Sequence, residues 1–168
     1  MKRKLGALIL LLALVFTLAS CGLNVPRPEV KEGEFNFSVT YEFNGETKTV
    51  SGVYVCEYDG IDRVLDGVDH REWKGYIKDG VTEECIVLAT AENGGIVELN
   101  LHFFPEYFMG EECGVDEAPF EPSISVRLDN EEGLSFENDA ELIYEVYGAK
   151  IISYEYDQPI ENSFGIFK

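Results

Sequence analysis

Phe35-Asn36-Phe37-Ser38-Val39-Thr40-Tyr41-Glu42-Phe43 alternates large apolar side chains with polar ones, residue by residue. Successive side chains of a strand point to opposite faces, so this spacing gathers all the apolar groups on one face. Asn44-Gly45 follows, and both residues tolerate the positive φ that a two-residue hairpin turn demands. Such a turn sets Phe43 opposite Glu46, Val39 opposite Val50, Phe37 opposite Gly52 and Phe35 opposite Tyr54. Apolar side chains meet across the pair, and Gly52 leaves room for the Phe37 ring. The return strand is expected to run on through Val55, Cys56 and Tyr58.

Outward from this hairpin the same period recurs. Asp59 to Arg71, rich in Gly and Asp, reads as a loop. Glu72 to Lys78, a turn at Asp79-Gly80, and Glu84 to Ala91 suggest a second hairpin. Asn93-Gly94-Gly95 turns the chain again, after which Val97, Leu99, Leu101 and Phe103 alternate with Glu98, Asn100 and His102. Pro105 to Met109 suggests a short helical turn, because proline is comfortable at a helix start. Gly110 to Pro122 reads as a long acidic loop. Ile124, Val126 and Leu128 alternate once more, and Asp129 to Gly133 turns into Leu134 to Glu137. Glu141 to Tyr147 and Lys150 to Tyr156 are expected as strands on either side of Gly148-Ala149. About eight or nine strands joined by local turns predict an all-β fold: an antiparallel β-sandwich or a meander barrel, which pattern alone does not separate.

The N-terminus is of another kind. Met1-Lys2-Arg3-Lys4 is basic, Leu5 to Leu18 is almost unbroken apolar sequence, and small residues precede Cys21. Positive charge, an apolar core and small residues before a cut describe an export signal. The apolar run falls short of the ~20 residues a helix needs to cross a bilayer, so it is expected to be a cleaved signal helix rather than a permanent span. Leu18-Ala19-Ser20-Cys21 resembles the lipobox of bacterial lipoproteins. The resemblance covers residues 1–21 and implies diacylglycerol on the Cys21 sulfur and cleavage just before it. Two acyl chains hold a protein stably where one does so only marginally. The expected organisation is a signal peptide over 1–20, a lipidated tether over 21–33 and a single β domain over 34–168. The body resembles, in general tone only, small β-rich lipoproteins of gut Gram-positive bacteria, a likeness that implies no activity. The expected location is the extracytoplasmic face of the cell membrane.

Cleavage before Cys21 removes three basic residues and no acidic one, taking the formal charge from −19 to −22. So acidic a surface repels phosphate backbones and excludes nucleic acid as a partner. It also repels anionic lipid head groups, leaving the acyl chains to do the holding. With prolines at 26 and 28, the twelve tether residues after Cys21 span at most about 40 Å. Past Cys21 the cysteines are Cys56, Cys85 and Cys113, an odd number that allows at most one bridge. Buried free thiols are the expectation.

Candidate sites are few. Asp59, Asp62, Asp66 and Asp69 fall within eleven residues and could supply calcium with several of the oxygens it needs, although their spacing is not that of an EF-hand. Glu111-Glu112 and Asp116-Glu117 are weaker versions of the same idea. His102 shares a strand face with Glu98 and Asn100, but this is the solvated face, and His70 sits beside the acidic loop. Trp73, Tyr76, Tyr107 and Phe108, with Tyr144, Tyr147, Tyr154 and Tyr156 behind them, could stack on a sugar or anchor a protein partner, against the plainer expectation of core packing. No nucleophile elbow, zinc-binding His-Glu-x-x-His or phosphate-cradling loop is present. The expectation is a non-enzymatic domain that binds a carbohydrate or protein near the cell envelope. A hydrolase using paired carboxylates and a structural assembly subunit are the rivals.

Overall fold

The computed structural model describes residues 25–63, 69–81, 83–111, 118, 120–130 and 133–165. Strands β2 (Glu32–Phe43) and β3 (Glu46–Arg63) form the central hairpin, with β4 (Asp69–Gly80) beside β3 and β9 (Ala149–Tyr156) beside β2. A second four-stranded sheet runs in the order β5 (Cys85–Thr90), β6 (Ile96–Phe103), β7 (Phe120–Asn130), β8 (Gly133–Glu137). A two-residue pairing joins β1 (Arg27–Pro28) to β10 (Phe164–Gly165). Helices α1 (Pro105–Phe108) and α2 (Ala140–Tyr147) complete the fold. The sheets face each other without closing, so among the described residues the architecture is a sandwich and not a barrel.

The β2–β3 register is the one that the Asn44-Gly45 turn dictates, with Phe43 opposite Glu46, Phe37 opposite Gly52 and Phe35 opposite Tyr54. Asn44 and Gly45 both take positive φ, 53° and 77°. Gly52 is required by space: a Cβ there would stand 2.9 Å from the Phe37 ring and against the carbonyl of Asp79. The core is built on aromatic contacts between the layers. Tyr54 stacks on Phe103 at 4.0 Å, Phe103 on Phe120 at 4.6 Å, and Phe35 meets Phe108 of α1 at 4.6 Å. Burying one such ring contributes about 2–3 kcal/mol. Tyr54 fits because Gly75 beneath it has no side chain.

Four expectations about elements are corrected. Asp59 to Arg71 is not a loop throughout: β3 and β4 pair on past the start of β2, and Gly60, at φ 120°, absorbs a register shift there. Glu72–Lys78 and Glu84–Ala91 are not a hairpin; β4 pairs with β3 and β5 with β6, in different sheets. The end of β4 is tied to β3 by the Val81 N–H, which donates to the Ser51 carbonyl at 3.1 Å. Pro122 lies inside β7, opposite Leu101. The register of β8 covers only the later part of β7, so at Pro122 that side of β7 needs no donor. Residues 141–147 are helical, not extended. The Asp139 carboxylate accepts from the Glu141 and Leu142 N–H groups at 3.0 Å, and Gly148 at φ 61° ends the helix in the left-handed region. Ile143 and Tyr147, one turn apart, are its inward face.

Candidate functional site

Cys21 lies outside the described residues, and the described chain is bound to the body from Pro26 on. The Pro26 carbonyl accepts from Arg71 Nη1 at 3.1 Å. Arg27 and Pro28 pair with Gly165 and Phe164. The Glu29 N–H donates to the Ser163 carbonyl at 2.8 Å, and Ser163 Oγ donates to the Glu29 carboxylate at 2.6 Å. Asn162 grips Val30 on both sides, accepting from its N–H at 3.0 Å and donating to its carbonyl at 2.9 Å, while also donating to the Met109 carbonyl at 3.1 Å. Tyr58 N–H then donates to the Lys31 carbonyl, and β2 begins at Glu32. Residues 26–31 of the stretch expected to be a lipidated tether are therefore docked. The backbone donors and acceptors of two proline-containing ends are satisfied by each other, which periodicity does not signal.

Arg71 is the keystone of this end. Its guanidinium pairs with Glu111 at 2.7 Å, lies 4.3 Å over the Phe164 ring and holds the Pro26 carbonyl. Glu111 also accepts from Trp73 Nε1 at 2.6 Å. One planar cation thus joins the N-terminal segment, the C-terminal segment and the turn after α1. A planar fork suits this task better than a lysine ammonium.

A second polar cluster lies on the outer face of the β5–β8 sheet. Glu98 is only 5 % exposed and accepts from Arg127 Nε at 3.1 Å and Nη2 at 2.9 Å. Asn100 Nδ2 donates to the buried Ser125 hydroxyl at 2.8 Å. Burial, and after it the Glu98 carboxylate, pushes the exposed Cys85 thiol up from its ordinary range. These groups are matched to each other. Cys56 is buried, its thiol pushed up to about 12 by burial and by Glu106. Cys56 and Cys85 are both free, the first buried as expected and the second exposed, and Cys113 lies outside the described residues.

The residues singled out from sequence are scattered. Asp59 pairs with Lys74 at 2.6 Å, and Asp62 sits in β3 opposite His70. Asp69 opens β4, and Asp66 lies outside the described residues, as do Glu112, Cys113, Asp116 and Glu117. Among the described residues no three metal-type side chains converge. His102 is exposed, while Glu98 and Asn100 turn to Arg127 and Ser125 instead. Trp73 faces the core at 8 % exposure, and Tyr76, on the opposite face of β4, donates to Glu57 at 3.0 Å. Phe108 is core, at 1 % exposure, and Tyr107 packs edge-on to Phe104. These four aromatics form no common platform. A cavity of about 230 Å³ lies between β2 and β9, lined by Asn36, Phe37, Ser38, Glu155, Tyr156 and Asp157. It is smaller than a usual small-molecule site of about 300 Å³ or more, and Asp157 in it already accepts from Asn36 N and Nδ2 at 2.8 and 2.7 Å. Among the described residues no helix is long and apolar enough to cross a membrane. Comparison with protein-family models, with curated proteins and with solved structures finds no match to this chain.

Proposed function

We propose that this chain is a bacterial lipoprotein, held by diacylglycerol on Cys21 at the extracytoplasmic face of the cell membrane, whose β-sandwich binds a partner or ligand close to that surface without enzymatic chemistry. The lipobox resemblance of Leu18-Ala19-Ser20-Cys21 carries the reading. The docking of Pro26 to Arg71 gives it a geometry. Only five peptide units separate Cys21 from Pro26, a reach of about 18 Å at most. A body so closely tied works on something at the membrane surface.

Several of the carboxylates are already engaged. Glu34, Asp59, Glu98 and Glu111 are each paired with a lysine or arginine, and an acid committed to an ion pair is poorly placed to shuttle protons. This supports binding over hydrolysis. Replacing Cys21 by Ala in the exporting host is the test. The variant is expected to lose the lipid and to leave the membrane fraction; a variant still retained there refutes the anchor.

A further inference from the structure

Helix α2 has more apolar surface than the sandwich uses. Residues along a helix turn by about 100° each, so Leu142 and Tyr144 lie on opposite sides of Ile143. Ile143 is buried, and Tyr147, one turn on, packs against the core beside it. Tyr144 leans toward β2 and β9: its ring lies 4.1 Å from the Lys150 ammonium, and its hydroxyl donates to Glu42 at 3.3 Å. Leu142 and Val146, one turn apart, form the opposite flank and are 42 % and 59 % exposed. Glu141 and Glu145 form the next row outward, and their carboxylates make no hydrogen bond or ion pair among the described residues. The solvent side of α2 thus carries two parallel rows, one apolar and one acidic, each with about 6 Å between its members.

The start of the helix adds acid and no base. Asp139 caps it, and Glu137 accepts from the Asp139 N–H at 2.8 Å. Lys150, the first basic residue after the helix, is occupied by Glu42 at 3.3 Å. Other exposed apolar side chains make no such pattern. Val87 and Phe136 stand on strands at opposite edges of their sheet, and Tyr76 is bonded to Glu57. The place of α2 in the fold also matters. The Asn44 N–H donates to the Gly148 carbonyl at 2.9 Å, which puts the C-terminal end of α2 at the Phe43 end of β2. The docked N-terminal segment lies at the Glu32 end of that 12-residue strand, about 36 Å away. With the lipid on Cys21, α2 stands on the side of the body remote from the anchor.

We infer that the outer flank of α2 is a docking site for a basic amphipathic helix of a partner protein, one whose apolar row is bordered by a row of lysine or arginine. Two helices present rows of the same spacing, so the partner's apolar side chains settle on Leu142 and Val146 while its basic ones meet Glu141 and Glu145. An anionic lipid surface is a poor occupant, because the acidic row repels it and the anchor lies at the other end of the body. A second copy of this chain is a poor one too, since it sets the same unpaired acids against each other. The inference rests on the partner-binding reading above and names the surface and the partner's chemistry.

The test uses the full acylated chain in detergent micelles and a helical peptide of about four turns, with a leucine row bordered by a lysine row. Binding is compared between the wild-type chain and its variants, so that partition of the peptide into micelles cancels. The peptide is expected to bind saturably and to slow amide exchange along α2. Val146→Ser should weaken it about fivefold, as loss of an apolar anchor does. Glu141→Gln combined with Glu145→Gln should also weaken it about fivefold at low salt and little at high salt. Both variants alter exposed side chains and should melt as the wild type does. A peptide with glutamate in place of lysine should not bind. Absence of saturable binding, unchanged affinity in either variant, equal binding of the glutamate peptide, or protection away from α2 overturns the inference. The two readings fail separately. Absence of binding by a chain that carries its lipid removes the docking site alone, and a Cys21→Ala chain retained at the membrane removes the anchor alone.

Discussion

Asn162→Ala should unlatch the N-terminal segment without unfolding the body. The side chain makes three hydrogen bonds to other segments, two to Val30 and one to the Met109 carbonyl. Each is worth about 1 kcal/mol net, and water replaces part of this at Val30, so the loss is about 2 kcal/mol. None of these bonds belongs to either four-stranded sheet. The loss should therefore appear as easier local opening of residues 26–31 rather than as a comparable loss of global stability. A change of about 2 kcal/mol multiplies the open population by about thirty. Amide exchange followed by mass spectrometry reads this directly: Glu29 and Val30 should exchange about thirty times faster, and β2 and β6 about as before. Unlatching back to β2 roughly doubles the span between Cys21 and the first fixed residue. Unchanged exchange at Val30 would refute the latch, and equal acceleration across β2 and β6 would show that Asn162 supports the whole fold instead.

Arg127→Ala leaves the Glu98 carboxylate nearly buried without its guanidinium, and should lower stability by about 2 kcal/mol in denaturant unfolding, less than for a fully buried pair because the arginine is partly exposed. Gly75→Ala puts a methyl where the Tyr54 hydroxyl lies, and should cost about 2–3 kcal/mol by the same measure; an unchanged midpoint contradicts the packing of Tyr54. At pH 8 a thiol reagent should modify Cys85 in the folded protein and Cys56 only after denaturation, and Glu98→Gln should speed the reaction at Cys85. The folded Cys56 thiol holds its proton more tightly than the unfolded one, so its contribution to stability is complete below about pH 8.5 and is lost as pH rises toward about 12. Cys56→Ala should flatten that part of an alkaline unfolding profile.

The hairpin around Asn44-Gly45 was legible in the sequence because its turn residues and its period of two specify one register. The same signals underdetermine which neighbour a strand chooses. Asp79-Gly80 reads as well as Asn44-Gly45, yet it closes no hairpin, since β4 finds its partner in β3 and the next strand belongs to the other layer. Residues 140–147 were missed because Leu142, Tyr144 and Val146 alternate like a strand. The cap at Asp139, three residues before Leu142, and the glycine at 148, two residues after Val146, were the signals that decided for a helix. The Arg71, Glu111 and Asn162 node had no local signature, because its members lie far apart in sequence and only the folded sandwich brings the two ends of the body together. The aromatics divide by strand parity: Trp73 and Tyr76 differ by an odd number of positions and so end on opposite faces.

Intact-mass and N-terminal peptide mass spectrometry of the chain purified from membranes of an exporting bacterium tests the central claim most directly. The account predicts that the mature polypeptide begins at Cys21 and carries a diacylglyceryl thioether on that residue. A chain that begins elsewhere, or that begins at Cys21 with a bare thiol, contradicts it.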